Sequence, residues 1–301
     1  MTDSPSKDLK EALFQLSRLK KERPALAGPA DFFSDVLPGL FEGESKDQPP
    51  AISPEQAQAK LADGVPLLRG ESVEIDLAAF RRRWLHVASA VERHQDAAAG
   101  KALANVVHEN RWNPQDIMAA VLAGSPQLFQ ARAEPLGLDS VLIGTVVRLS
   151  LFRSLASLHR QLLPLWSDFV WQRGYCPTCG GWPLLGEFRG LEQTRFLRCG
   201  LCAAEWKVPR LLCPYCENRD HRSLGYLSLE GNEAKYRVNT CDSCHGYVKM
   251  LSTLTPLSAP QLLAADVATL HLDLAAAQRG YAIGRPGEDS DGALGLGGLR
   301  Q

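Results

Sequence analysis

At 301 residues and a formal net charge of −1, with 45% hydrophobic and 22% charged residues, the chain has the make-up of an ordinary globular protein. It offers neither a global basic field for nucleic acid nor a strongly acidic balance for a basic partner. The opening Met1-Thr2-Asp3-Ser4-Pro5 lacks a signal-peptide pattern, and the most apolar stretch, 141–152, is interrupted by Arg148 and too short for a membrane span, so a cytoplasmic location is expected.

Residues 1–172 read as helices. After a surface loop over 42–50, Ser53-Pro54-Glu55-Gln56 is a helix start: Ser53 can cap, Pro54 suits the first helical position, and Gln56 completes a capping box. Phe80, Trp84, Val87 and Val91 recur at spacings of four, three and four, one apolar helical face. On that helix Arg81-Arg82-Arg83 reads as a solvated face rather than an anion site. Asn113-Pro114 and Ser125-Pro126 open two more helices. Leu151, Leu155, Leu158 and Leu162 continue the rhythm up to Pro164, which should end or bend that helix.

From about Gly174 the texture changes to short alternating runs and turns. Residues 194–198 and 205–210 flank one cysteine pair like the arms of a hairpin. Ala234, Tyr236 and Val238 alternate with Lys235, Arg237 and Asn239 as in a half-buried strand, and Gly231-Asn232 supplies a turn back to 226–229. Leu263, Val267, Leu270 and Leu274 share one face of a last helix, which Gly280 should end. Asp266, His271 and Asp273 lie on it and read as solvated, although Asp266 and Asp273 fall on one face that can dock. The Gly-, Ser- and Asp-rich end has little to bury and is expected to be disordered.

All eight cysteines lie in one quarter of the chain, as Cys176-Pro177-Thr178-Cys179, Cys199-Gly200-Leu201-Cys202, Cys213-Pro214-Tyr215-Cys216 and Cys241-Asp242-Ser243-Cys244. Two residues between cysteines make a tight knuckle that aims both sulfurs at one ion, and two knuckles complete a tetrahedral site. Nineteen residues separate the first pair from the second and twenty-four the third from the fourth, enough for a returning hairpin in each case. Cys176, Cys179, Cys199 and Cys202 are therefore assigned to one metal, and Cys213, Cys216, Cys241 and Cys244 to another. A crossed arrangement, first pair with third and second with fourth, also closes two sites. In a reducing compartment such pairs read as metal ligands or redox groups, not disulfides. Four thiolates suit zinc or a single iron, and a closed site leaves no position for water or substrate. His221 and His245 lie near the second site, but the sulfurs already complete it. Neither a phosphate loop nor a nucleophile elbow is present, and no catalytic residue is assigned.

Together these elements predict a multidomain α+β chain: an all-α helical domain over 1–172, a first rubredoxin-like or zinc-ribbon module over 173–211, a second over 212–252, a carboxy-terminal helix over 253–281 and a disordered tail over 282–301. A module of this size has too small a core of its own, and a structural metal supplies on the order of 10 kcal/mol to its folding.

Tyr175-Cys176-Pro177-Thr178-Cys179-Gly180, Arg198-Cys199 with Cys202 and Glu205-Trp206, Cys213 with Cys216, Cys241 to Cys244 with Gly246-Tyr247-Val248-Lys249, and 266–274 with Gly280-Tyr281 together resemble the FdhE family of formate dehydrogenase accessory proteins. The resemblance implies a cytoplasmic, non-enzymatic assembly or maturation factor that binds the catalytic subunit of formate dehydrogenase. It also implies iron of the rubredoxin type as the favoured metal, with zinc as the alternative. The Cys179-Gly180 ending is similar to a rubredoxin knuckle, whereas the third pair carries Glu217 at the corresponding place.

Two other readings compete. A zinc-ribbon nucleic-acid binder would use Trp206, Tyr215 and Tyr236 for stacking, but between Gly174 and Leu251 ten Lys and Arg face eight Asp and Glu, which is too even a balance. A thiol oxidoreductase would need a metal-free dithiol of depressed pKa.

Overall fold

A computed structural model of the chain describes residues 5–124, 127–228 and 235–284. Eight helices come first: α1 (Pro5–Glu22), α2 (Ala27–Phe41), α3 (Pro54–Ala62), α4 (Leu77–His94), α5 (Ala97–His108), α6 (Pro114–Ala123), α7 (Gln127–Ala133) and α8 (Ser140–Leu162). Their starts follow local chemistry. Ser53 and Gln56 form the reciprocal capping box of α3, and Asp76, Asp96, Asn113 and Asp139 cap α4, α5, α6 and α8 with side-chain oxygens. The Ser125-Pro126 start lies outside the described residues.

Phe80, Trp84, Val87 and Val91 are buried, as their spacing requires. Trp84, a large and fully buried side chain, donates its indole N–H to the Leu103 carbonyl at 2.8 Å. The reading of Arg81-Arg82-Arg83 as a solvated face fails at one position. Arg83 is only 3% exposed and bridges α4 to α8 through the Ser150 carbonyl at 2.9 Å and the Ser154 hydroxyl at 2.6 Å. Its stem covers apolar core while its head finds polar partners, a combination that a run of three arginines hides.

The apolar stretch that reads as too short for a membrane belongs to a longer helix. Ser140–Leu165 is long and apolar enough to cross a bilayer, its 18-residue window reaching a mean hydropathy of 1.6, but 78% of that window is buried within the protein. It is the central helix of the fold, and its apolarity is explained by that position. The helix gives way at Leu163–Leu165 to a single 3-10 turn containing Pro164.

The two ribbons share one sheet. Strands β1 (Pro183–Arg189), β2 (Thr194–Cys199), β3 (Glu205–Lys207), β4 (Leu224–Leu227), β5 (Tyr236–Cys241) and β6 (Gly246–Thr253) form one sheet in the order β3-β2-β1-β6-β5-β4. Each ribbon is a three-stranded antiparallel meander, and parallel pairing of β1 with β6, Gly186 opposite Met250 through Arg189 opposite Thr253, joins them. Fully buried Glu187 reinforces the seam, accepting from Arg198 on β2, from Arg189 at 3.1 Å and from Thr253 on β6 at 3.0 Å. The turn assigned to Gly231-Asn232 lies outside the described residues, but the strands it was to connect do pair, with Leu227 opposite Val238.

The last helix is two: α9 (Ala259–Ala268) and α10 (Leu270–Ala277), with the break at Thr269. Helix α9 packs on α1 and α2, tying the two ends of the chain together. Asp266 and Asp273 are not solvated. Lys249 of β6, 2% exposed, donates to Asp266 at 2.6 Å and to Asp273 at 2.7 Å, and the Tyr247 hydroxyl donates to Asp273 at 2.8 Å. Beyond Gly280, Ala282 pairs with the segment around Gly246, its N–H bonding to the His245 carbonyl at 2.9 Å. The remainder of the predicted tail, from residue 285, lies outside the described residues.

Candidate metal centres

Each cysteine pair builds the same knuckle. The first cysteine pairs with the residue five positions on: the N–H groups of Cys176, Cys199 and Cys213 bond to the carbonyls of Gly181, Ala204 and Asn218, and Cys241 lies opposite Gly246 in the β5–β6 ladder. The residue just after the second cysteine turns left-handed in all four: Gly180 (φ 78°), Ala203 (58°), Glu217 (58°) and His245 (52°). Glu217 therefore stands where glycine would be easiest and keeps the same geometry, at a cost of about 1–2 kcal/mol that a closed metal site offsets.

The knuckles meet as first with second and third with fourth, which excludes the crossed arrangement. Within each set all four sulfurs lie within 4.8 Å of one another. In the first set the sulfurs of Cys176 and Cys202, Cys179 and Cys199, and Cys179 and Cys202 are 3.5, 3.4 and 3.6 Å apart. In the second set Cys213 and Cys244 are 3.6 Å apart and Cys216 and Cys241 3.7 Å. A tetrahedral ion with metal–sulfur bonds of about 2.3 Å has sulfur–sulfur edges of about 3.8 Å, so both cages fit one ion each. They are far too wide for disulfides, which need about 2.05 Å.

The donor chemistry also fits a cation. Cys179 is pushed well above the usual thiol range by hydrogen bonding with Cys176 and then Cys199, and Cys202 by burial. Cys199, despite its burial, is held well below that range by hydrogen bonds from its three neighbours and from the Leu201 N–H. In the second cage burial raises Cys213 and Cys244, the latter to about 11, whereas Cys241 is held down, against its burial, by the N–H groups of Cys244 and Ser243. Cys199 and Cys241 are thus the sulfurs most readily ionised, and a cation at the centre of each cage stabilises further thiolates around it.

The two cages differ in their surroundings. The first is enclosed by the helical domain. Leu67 and Leu68 N–H groups bond to the Pro177 and Thr178 carbonyls, both at 2.9 Å, and the Tyr175 hydroxyl donates to the Gly64 carbonyl at 2.7 Å. His159 of α8 meets the Thr178 hydroxyl at 3.0 Å, and fully buried Arg148 of the same helix donates to the Gly200 carbonyl at 3.1 Å. Burial lowers the Arg148 guanidinium to about 10, with Asp266 and Cys199 opposing the shift, so a positive charge is held close to the cage. The second cage lies farther out: Cys216 and Cys244 are half-buried, and Asn218 braces it by donating to Ser223 at 2.6 Å and Ser243 at 2.9 Å. A chelator such as a pyridylazo dye should therefore extract metal in two phases, the fast one from Cys213, Cys216, Cys241 and Cys244. Peptide mapping of alkylated cysteines after the first phase checks this, and modification of Cys176 or Cys199 at that stage would contradict it.

His159 gives the first cage a pH dependence. Burial lowers its pKa to about 4 from an ordinary value near 6.5. Between those values the unfolded chain binds a proton that the folded chain does not, so stability is full above about pH 6.5 and declines as pH falls toward 4. Denaturant midpoints of the metal-loaded protein over this window should slope by about one proton more than those of His159→Gln. Identical slopes would show that His159 is not buried neutral.

The eight predicted cysteines are thus gathered as assigned. His221 and His245 are not among the clustered donors: the His221 side chain is 74% exposed, and His245 forms the turn of its knuckle. Of the proposed stacking residues, Trp206 and Tyr215 are buried at 3% and 2% exposure. Sequence reasoning missed the supporting residues Arg148, His159 and Leu67-Leu68; the one signal for the first was a lone arginine within an apolar helix.

Fold and site together define a double-ribbon protein, two four-cysteine cages on one sheet with a helical domain closed over the first. Residues 175–210 match the family model described as "FdhE, central domain", and 211–287 that described as "FdhE, C-terminal domain". A "Protein FdhE homolog" of Pseudomonas aeruginosa is 31% identical over 250 residues, covering 78% of this chain and 75% of that protein. A "Protein FdhE homolog" of Stutzerimonas stutzeri is 41% identical over 109 residues, 35% of each chain, and a "Protein FdhE" of Escherichia coli is 39% identical over 121 residues, 38% of this chain and 37% of that one. The crystal structure of the FdhE protein from Pseudomonas aeruginosa superposes with a TM-score of 0.61 at 25% identity, covering 95% of this chain and 96% of that one. The chain belongs to the FdhE family.

Proposed function

We propose that this chain is a cytoplasmic, non-enzymatic accessory protein that binds the catalytic subunit of formate dehydrogenase during its assembly or activation. Cys176, Cys179, Cys199 and Cys202 hold one metal ion and Cys213, Cys216, Cys241 and Cys244 the other, iron being favoured by the family and zinc the alternative. Family membership with both cages intact carries the reading. Four protein donors per ion leave no open position for water or substrate, which speaks for a structural or redox-responsive role over hydrolysis. An iron ion in such a cage can change its charge by one and so alter the surface around the half-buried second site; zinc fixes the fold alone. The burial of Trp206 and Tyr215 weakens the nucleic-acid reading, and the enclosure of the first cage weakens the dithiol one.

Deleting the chain from its native cells tests the role. Formate dehydrogenase activity should fall severalfold or more while the catalytic polypeptide is still made, and the wild-type chain should restore it. Unchanged activity would contradict the proposal.

A further inference from the structure

One face of the sheet carries a group of cations that no carboxylate faces among the described residues. Arg195 on β2 lies directly opposite Phe188 on β1, and Arg237 on β5 shares that face, with Asn239 and its β4 partner Tyr226 beside it. Arg237 stacks on the Phe188 ring at 3.9 Å and Arg210, from the loop after β3, at 5.5 Å. The three arginines line a pocket of about 260 Å³ beside the second cage, and no carboxylate lines it among the described residues.

These guanidinium groups are incompletely used. Arg195 is 2% exposed; its Nη1 donates to the carbonyls of Pro209, Arg210 and Leu212, but its Nε has no partner among the described residues. The buried Nε of Arg237 is also without one. None of the three makes an ion pair among the described residues. Burial, then the Arg237 charge, lowers Arg195 to about 10 despite the opposing Cys213, and burial followed by Arg210 lowers Arg237. Clustered, partly desolvated cations with unused donors are costly unless an anion completes them.

We propose that this pocket binds a phosphate-type oxyanion, held by Arg195, Arg210 and Arg237. A planar carboxylate is satisfied by one bidentate arginine, whereas a tetrahedral dianion offers oxygens to guanidinium groups arriving from three segments. The pocket is larger than phosphate alone, and Tyr226, which is 66% exposed, supplies aromatic surface for an organic group attached to it. The site does not depend on the identity of the client.

Isothermal titration of the metal-loaded full chain tests it, with inorganic phosphate, phenyl phosphate and acetate as probes. One phosphate should bind per chain, more tightly than acetate. Arg210→Gln and Arg237→Gln, at exposed and half-buried positions, should each weaken it about tenfold or more with metal content and circular dichroism unchanged. Phenyl phosphate binding more tightly than phosphate would mark a phosphate ester as the ligand; equal affinity would mark the free anion. No saturable phosphate binding, acetate binding as tightly, or unaltered binding in both folded variants would overturn the proposal.

Discussion

Cys176→Ser should release one of two metal equivalents and lower the thermal midpoint by about 10 °C or more. Its sulfur is fully buried, and the residues beside it carry the contacts that close the helical domain onto the sheet. When the first cage opens, Pro177 and Thr178 no longer present carbonyls to Leu67 and Leu68, so the damage extends beyond the ribbon. Cys216→Ser should also cost one metal equivalent, but its cage is half-buried and braced mainly within its own ribbon by Asn218. Limited proteolysis separates the two: Cys176→Ser should expose the junction between 64–69 and 175–181, whereas Cys216→Ser should leave it protected. Equal protection in both would show that the first cage does not anchor the domains.

Lys249→Met should destabilise the metal-loaded protein by about 3–5 kcal/mol in denaturant titration, because it leaves buried Asp266 and half-buried Asp273 without their cation. Lys249, despite its burial, is held above its ordinary range by Asp266 and Asp273, while burial pushes Asp273 up against the pull of Lys249. Adding Asp266→Asn and Asp273→Asn to Lys249→Met should recover much of the loss, since the unpaired charge is what costs. A loss below about 1 kcal/mol, or no recovery in the triple variant, would remove this cluster as the link between β6 and the terminal helices.

The parts that were legible in the sequence rest on short-range physics. A two-residue gap between cysteines dictates a knuckle wherever it occurs, and the gaps between pairs selected their partners. Ser53 and Gln56 announce a capping box because both of its bonds close within four residues. What was not legible depends on partners far along the chain. Arg83 is buried because α8 brings Ser150 and Ser154 to it, 67 and 71 residues away. Asp266 and Asp273 share a helix face with solvated acids in appearance, and only the folding of β6 supplies Lys249. The joining of two ribbons through β1 and β6 is a parallel pairing across more than sixty residues, for which alternation within a strand carries no signal. At the cages, Glu217 and His245 occupy left-handed positions that composition alone would reserve for glycine.

The central claim is that both loaded cages serve the binding of formate dehydrogenase. The most direct test is an anaerobic pull-down from native cytoplasm with the full chain, identifying captured proteins by mass spectrometry and assaying metal in the same eluate. We predict recovery of the catalytic subunit of formate dehydrogenase with two metal equivalents per chain, and its loss when Cys176 or Cys213 is replaced by serine. Recovery of nucleic acid or ribosomal material with zinc and without the dehydrogenase would contradict the account.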